Sequence, residues 1–94
     1  MNRSMTLEEA KKIVLSDCEV EKNYDEVEPE YQILIAVASE RKKQNISQQK
    51  LADMTGIDRA DISRIENAES NPTVGTLKRI AKALDRKLVI ELKK

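Results

Sequence analysis

Two arginines in the stretch DRADISRIEN, residues 58–67, carry side chains that could make directed hydrogen bonds. At about 100° per residue on a helix, Ile62 and Ile65 define a buried side. Arg64 then lies on the opposite side, with Arg59 at its edge. A guanidinium donates two parallel hydrogen bonds, which suits the edge of a guanine base. The chemistry predicted is recognition by hydrogen bonding; the alternative is that both arginines are merely solvated.

The same stretch is acidic by count, with three carboxylates against two arginines. Asp58 is expected to cap the start of the helix, where a carboxylate offsets the positive helix end. Asp61 falls three residues later, at the position of a capping box. From the flank of the helix it could also repel a misplaced phosphate or accept a hydrogen bond from a cytosine amine.

The chain contains few residues suited to catalysis or metal binding. The chain has no histidine, no phosphate-binding loop and a single cysteine, Cys18, without an obvious base partner, so we expect no enzyme activity, no cofactor and no metal. The longest apolar run, residues 33–38, is far too short to span a membrane. The N-terminus lacks the apolar stretch of a signal peptide, and a cytoplasmic location is expected.

Two short helices are predicted around these arginines. Ser47 can cap a helix of about two turns, and Gly56 ends it where a left-handed backbone is easiest for glycine. Leu51 and the small Ala52 allow the next helix to cross closely. Two helices joined in this way form a helix-turn-helix, whose second helix enters the DNA major groove.

The run ISQQKLADMTGIDRADISRIENAESNPTVGTLKRIAKAL closely resembles the Xre/Cro-type helix-turn-helix domain of phage repressors and bacterial regulators. The resemblance covers residues 34–84 and implies a lambda-repressor-like domain that binds DNA. One departure is Ala68, where the family usually has glycine to close the recognition helix. The loop after Asn67 is therefore expected to differ slightly.

The resemblance also implies roles for single residues. The groove-reading positions are Arg59, Ala60, Ser63 and Arg64, although Ser63 could instead bond back to its own helix. The phosphate-contacting positions are Ser47, Gln48, Ser70, Asn71 and Thr73. Arg41 and Glu66 match a pair that usually forms an internal salt bridge in this fold. With Glu66 paired internally, the groove-facing side of the helix keeps a net charge of about +2.

The remaining pattern is mainly helical. Thr6 and Glu9 form a predicted capping box, Asp17 can cap a second short helix, and Pro29 suits the first turn of the next. Thr73 is expected to cap a last helix, and residues 88–92, LVIEL, are predicted as a strand. The fold class expected is mainly all-α, with a five-helix Xre domain. The domains predicted are an acidic helical extension over 1–28, the helix-turn-helix domain over 29–86 and a C-terminal strand over 87–94.

Charge divides the chain. Residues 1–30 hold nine acidic and four basic residues, and residues 31–94 hold eight acidic and thirteen basic residues, giving −5 and +5. Opposite charges favour two different partners, or simply two solvated surfaces. The lead-in SDCEVEKNYDEVEPEYQILIAVASERKKQ, with its segment VEPEY, resembles that of HigA-type antitoxins of type II toxin–antitoxin operons.

This second resemblance implies a small basic toxin, a RelE- or HigB-like mRNA-cleaving ribonuclease, as the partner of residues 1–30. Val20, Tyr24 and Val27 are the candidate toxin-binding residues; alternatively they pack on the domain's own core. A chain this short favours a homodimer, with two recognition helices about 34 Å apart on a palindromic operator. The strand at 88–92 could pair in that dimer or with the toxin. The alternatives are a free-standing repressor without a toxin and an adaptor that binds no DNA.

Overall fold

The computed structural model describes residues 6–15 and 28–94, which fold into five α-helices. The first helix, α1 (Leu7–Leu15), begins with a reciprocal pair of hydrogen bonds. The Glu9 N–H donates to the Thr6 hydroxyl oxygen and the Thr6 N–H donates to the Glu9 carboxylate, each at 3.1 Å. This capping box satisfies two amide groups that a helix start leaves without partners, so the predicted start of α1 is confirmed.

The second helix, α2 (Pro29–Lys43), is shared between two hydrophobic clusters. Pro29 occupies its first turn as predicted, because the missing N–H has no partner to lose there. One cluster lies against α1 and contains Ala10, Leu34, Ile35 and Ala38. The other lies against the following helices and takes Val37 from α2. Since apolar residues point in both directions, α2 connects α1 to the rest of the fold.

The next two helices are α3 (Gln48–Thr55) and α4 (Arg59–Ile65). The Ser47 hydroxyl accepts from the Lys50 N–H at 2.9 Å, which confirms the predicted cap of α3. Gly56 ends α3 with φ +75°, and a Cβ there would lie 3.1 Å from Nη2 of Arg79. Glycine is therefore favoured at this turn both by its conformation and by the nearby guanidinium.

The last helix, α5 (Val74–Ala83), is capped by Thr73, whose hydroxyl accepts from the Thr76 N–H at 3.1 Å, as predicted. α5 completes the second cluster, whose buried members are Val37, Leu51, Ala52, Ile62, Ile65, Ile80 and Leu84. These side chains come from four helices, and Leu51 and Ile62 are fully buried at the crossing of α3 and α4. The core thus fixes the angle at which α4 is held.

The structure contradicts the strand predicted in the C-terminal segment, residues 86–94. LVIEL was expected to form a strand, but no strand is present within residues 6–15 and 28–94. Val89, Ile90 and Leu92 are 70%, 63% and 100% exposed. A β-strand requires a second strand to pair its backbone N–H and C=O groups. The described part of the chain supplies no such neighbour, so the apolar sequence alone does not produce the strand.

Part of the N-terminal prediction lies outside the described residues. The short helix expected after Asp17, with Val20, Tyr24 and Val27, falls within residues 16–27. Among the helices that the structure does describe, none has the length and apolar character needed to cross a membrane.

Candidate nucleic-acid interface

A buried ion pair joins α2 to the end of α4. Arg41 donates from Nε and Nη2 to the two carboxylate oxygens of Glu66, each at 2.7 Å. Its Nη1 donates to the carbonyl oxygen of Ile46 at 2.8 Å, just before α3. Both residues are buried, at 8% and 6% exposure. The structure therefore contains the internal salt bridge predicted for Arg41 and Glu66, and the pair holds both ends of the helix-turn-helix.

Gln48 is connected to this pair. Its Nε2 donates to Oε1 of Glu66 at 3.2 Å, so the side chain is held at the N-terminus of α3. An amide nitrogen carries two hydrogens, so one hydrogen is left to donate to another acceptor. The hydroxyl of neighbouring Ser47 accepts from Lys50 and likewise keeps its own hydrogen to donate. The phosphate-contacting roles of both residues stay predictions, and their geometry is compatible with them.

The surface of α4 divides as the helical geometry predicts. Ile62 and Ile65 are 0% and 3% exposed. On the other side Arg59, Ala60 and Arg64 are exposed and Ser63 is half-buried. These four candidates for reading bases therefore lie together on the solvent side of one short helix, whose opposite side is fixed in the core. Their contact with bases stays a prediction.

Asp58 and Asp61 do not form the expected capping box. Asp58 occupies the N-cap position, but its side chain accepts no capping hydrogen bond. The Asp61 carboxylate instead accepts from Nη1 of Arg64 at 2.5 Å, one turn further along α4. The reason is that a residue at this position can reach both its own helix start and an arginine at i+3, and the charged donor makes the stronger bond.

The end of α4 is stabilised from within. Asn67 Nδ2 donates to the Ser63 carbonyl oxygen at 2.7 Å and lies 3.4 Å from the Ser63 hydroxyl oxygen. Ala68 follows in the left-handed region, with φ +57°. The N–H groups of Ala68 and Glu69 donate to the carbonyl oxygens of Ile65 and Arg64, at 3.2 and 2.8 Å. Alanine thus closes the helix with the backbone turn that glycine usually adopts, at a conformational cost.

A surface recess lies between α4 and the loop that precedes α5. It is lined, among others, by Asp58, Asp61, Ser70, Asn71 and Thr73. The structure therefore brings the three loop residues predicted to contact phosphate to the border of the recognition helix. Arg79 lines the same recess and donates from Nη2 to the Thr55 carbonyl oxygen at 2.6 Å.

Three side-chain hydrogen bonds between distant parts of the chain were not predicted from the sequence. The bond from Arg79 to the end of α3 joins residues 24 apart, and that from Gln44 Nε2 to the Leu84 carbonyl oxygen, at 2.8 Å, joins residues 40 apart. Nothing in the local pattern indicates such partners. The bond between Gln48 and Glu66 could have been inferred, because the pairing of Arg41 with Glu66 already places that carboxylate beside the start of α3.

The candidate toxin-binding residues Val20, Tyr24 and Val27 lie outside the described residues, so the geometry of this site has no bearing on them. Within residues 6–15 and 28–94, no group of three or more acidic or cysteine side chains could hold a metal ion.

Comparison with protein families identifies a helix-turn-helix domain. The helix-turn-helix model HTH_3 matches residues 37–90, from the middle of α2 to the C-terminal segment. The match includes α3, α4, α5 and every residue proposed above to contact DNA. No curated protein and no solved structure matched the chain.

Proposed function

Since the chain belongs to the HTH_3 family of Xre-type helix-turn-helix proteins and carries its DNA-binding domain, we propose that it is the antitoxin of a type II toxin–antitoxin module. In this role it binds and neutralises a RelE- or HigB-like ribonuclease and represses its own operon from a cytoplasmic location. The observation that carries the proposal is the charge division, with −5 on residues 1–30 ahead of a domain of opposite charge. Complementary charge speeds association with a basic protein and disfavours wrong partners.

Operator binding is assigned to the exposed side of α4. Arg59 and Arg64 are the residues with the guanidinium geometry for guanine, and Gln48 and Ser47 supply donors for a phosphate. A homodimer would place two copies of α4 about one DNA turn apart on a palindromic site.

The proposed operator binding is tested by gel shift with the promoter fragment that lies upstream of the gene for this protein. Replacement of both Arg59 and Arg64 by alanine is expected to weaken binding by about 2–6 kcal/mol, because two base contacts are lost. Lys87→Ala, which removes one exposed positive charge away from α4, is the control. Unchanged binding by the double variant would contradict base reading by these arginines, and absence of binding by the wild-type protein would favour an adaptor that binds no DNA.

Toxin binding is assigned to residues 1–30, with Val20, Tyr24 and Val27 as apolar anchors. Deletion of this segment is a poor test, because α1 covers Leu34, Ile35 and Ala38 of α2 and its loss would expose them. Replacement of the three anchors by serine leaves the sequence of α1 unchanged. Co-expression of this variant with the neighbouring toxin gene is expected to give no rescue of growth, while promoter binding persists. Full rescue by the triple variant would contradict the assignment.

A free-standing repressor is the second candidate, favoured by the fact that the matched domain accounts for DNA binding alone. The neighbouring reading frame discriminates between the two. A small basic partner that co-purifies with the chain supports the antitoxin, and its absence supports the repressor.

A further inference from the structure

The ion pair between Asp61 and Arg64 joins the flank of α4 to the side that faces away from the core. The Asp61 carboxylate lies 2.5 Å from Nη1 of Arg64, and the two side chains are 54% and 53% exposed. An exposed pair of this kind adds little to folding stability, because water screens both charges. Stability is therefore a weak explanation for an acidic residue placed beside a surface that is proposed to meet a polyanion.

The geometry of the pair leaves a defined part of the guanidinium available. An arginine carries five N–H donors in a planar fork. With Nη1 engaged by Asp61, the edge formed by Nε and Nη2 keeps two parallel N–H groups. A guanine presents two acceptors in the major groove, O6 and N7, at the spacing that such an edge matches.

We propose that Asp61 is a positioning residue that determines base specificity by holding the Arg64 guanidinium so that its other edge is presented to a guanine. This inference rests on the proposed function, in which Arg64 reads a base. Arginine carries rotamer entropy that must be lost on binding. A guanidinium already oriented on α4 loses less of it, so the correct base pair gains affinity over the others.

The negative charge of Asp61 contributes in a second way. On DNA without the matching guanine, the carboxylate at the flank of the DNA-facing side still repels nearby phosphates. Specificity is a difference between two affinities, so a group that weakens non-specific binding raises specificity. Asp61 thus raises the preference for one base pair and lowers the affinity for all other sequences.

The test compares full-length variants in selections from a library of duplexes with randomised positions. Arg64→Ala identifies the base pair that Arg64 reads, as the position in each half-site where preference disappears. Asp61→Asn is expected to reduce preference at that same position by about tenfold and to bind a scrambled duplex more tightly. Asp61→Glu keeps the charge and should restore part of the preference. Asp53→Asn removes an exposed acid from α3 and serves as the matched control.

The outcomes distinguish the positioning role of Asp61 from base reading by Arg64. If Arg64→Ala removes preference at one position and Asp61→Asn does not, the positioning role is overturned while base reading by Arg64 stands. If Arg64→Ala leaves every position unchanged, both base reading by Arg64 and the inference fail. If Asp61→Asn weakens binding equally at all positions and lowers the melting temperature, the pair is merely structural and the inference is overturned.

Discussion

At the scale of single residues, Glu66 connects the core of the domain to its DNA-facing edge. Its carboxylate accepts two bonds from the buried Arg41 and a third from Gln48, the residue expected to contact a phosphate. A charged side chain with this little exposure is tolerated only because its oxygens are fully engaged. The stability of the fold and the placement of Gln48 therefore depend on the same group.

Arg41→Ala is expected to lower the free energy of unfolding by about 3–5 kcal/mol, because Glu66 would be left charged, buried and without its main partner. Urea denaturation followed by far-UV circular dichroism measures the change. Arg86→Ala is the control, since Arg86 is 61% exposed in its ion pair with Glu40 and its loss should cost under about 1 kcal/mol.

The double variant with Arg41→Met and Glu66→Leu sharpens this test. It should unfold at higher urea than Arg41→Ala, because no unpaired charge remains buried. Equal denaturation curves for the wild type and Arg41→Ala would show that the pair contributes nothing.

Ala68→Gly is expected to stabilise the domain by about 0.5–1 kcal/mol, because a left-handed backbone costs alanine more than glycine. Ala68 has φ +57° and closes α4. The melting temperature of the two proteins gives the comparison. Ala36→Gly, at an exposed position inside α2, is the control and should instead lose about 1 kcal/mol. A loss of stability in both variants would argue against a conformational cost at Ala68.

At the scale of elements, the features predicted correctly from the sequence are those that depend on residues close together in the chain. The caps Thr6, Ser47 and Thr73 and the glycine turn at Gly56 each depend on residues within a turn of the helix they begin or end, and all four are confirmed. Contacts between distant elements, such as that of Gln44 with the end of α5, depend on how helices pack and leave no local pattern.

Asp61 and the C-terminal segment illustrate two further limits. Asp61 had two partners within reach on its own helix, and spacing alone did not decide between them. Residues 88–92 have the composition of a strand, but strand formation also requires a second segment to pair with. The base-reading side of α4 was predictable because the buried isoleucines define it by periodicity alone.

The contact between α2 and the segment after α5 is expected to depend on pH, because it includes the ion pair of Glu40 with Arg86. Burial alone would raise the pKa of Glu40, but hydrogen bonds from Gln44 and Arg86, together with the charges of Arg86 and Lys43, hold the pKa below its ordinary 4.5. A carboxyl group whose pKa is lower in the folded state stabilises the fold above its unfolded pKa. That stabilisation is lost as the pH falls through the folded value.

Arg86→Gln is therefore expected to cost about 0.5 kcal/mol at pH 7, and the difference from the wild type should vanish below the pKa of Glu40. Urea denaturation of the wild type and the variant at several pH values from 7 to 3 measures this difference in the free energy of unfolding. Arg79→Gln is the control, because Arg79 bonds a carbonyl oxygen that does not titrate in this range. A constant difference for Arg86→Gln over the whole range would argue against the ion pair.

At the scale of the whole molecule, the exposed C-terminal segment is the place where a second copy is expected. Val89 and Ile90 present branched apolar side chains to solvent, and their backbone groups belong to no sheet. Pairing of this segment with its copy would cover both the side chains and the backbone. It would also supply the neighbour that strand formation requires.

If the protein forms the proposed homodimer through this segment, replacement of both Val89 and Ile90 by serine should shift it from dimer to monomer in sedimentation experiments, because the apolar contact between copies would be lost. Val74→Ser, which removes an exposed valine at the start of α5, should leave the dimer intact. Identical sedimentation of the wild type and the double variant would place the dimer contact elsewhere or exclude a dimer.

The two hydrophobic clusters on either side of α2 differ in a property that spectroscopy detects. Tyr31 packs against the cluster of α1 and α2, whereas the cluster that holds α4 contains no aromatic ring. The chain has no tryptophan or phenylalanine. Among the described residues, Tyr31 is therefore the only source of near-ultraviolet signal, and it reports on α1 rather than on the DNA-binding helices. A fluorophore introduced on α3 or α4 would report on the helix-turn-helix itself as it folds or binds.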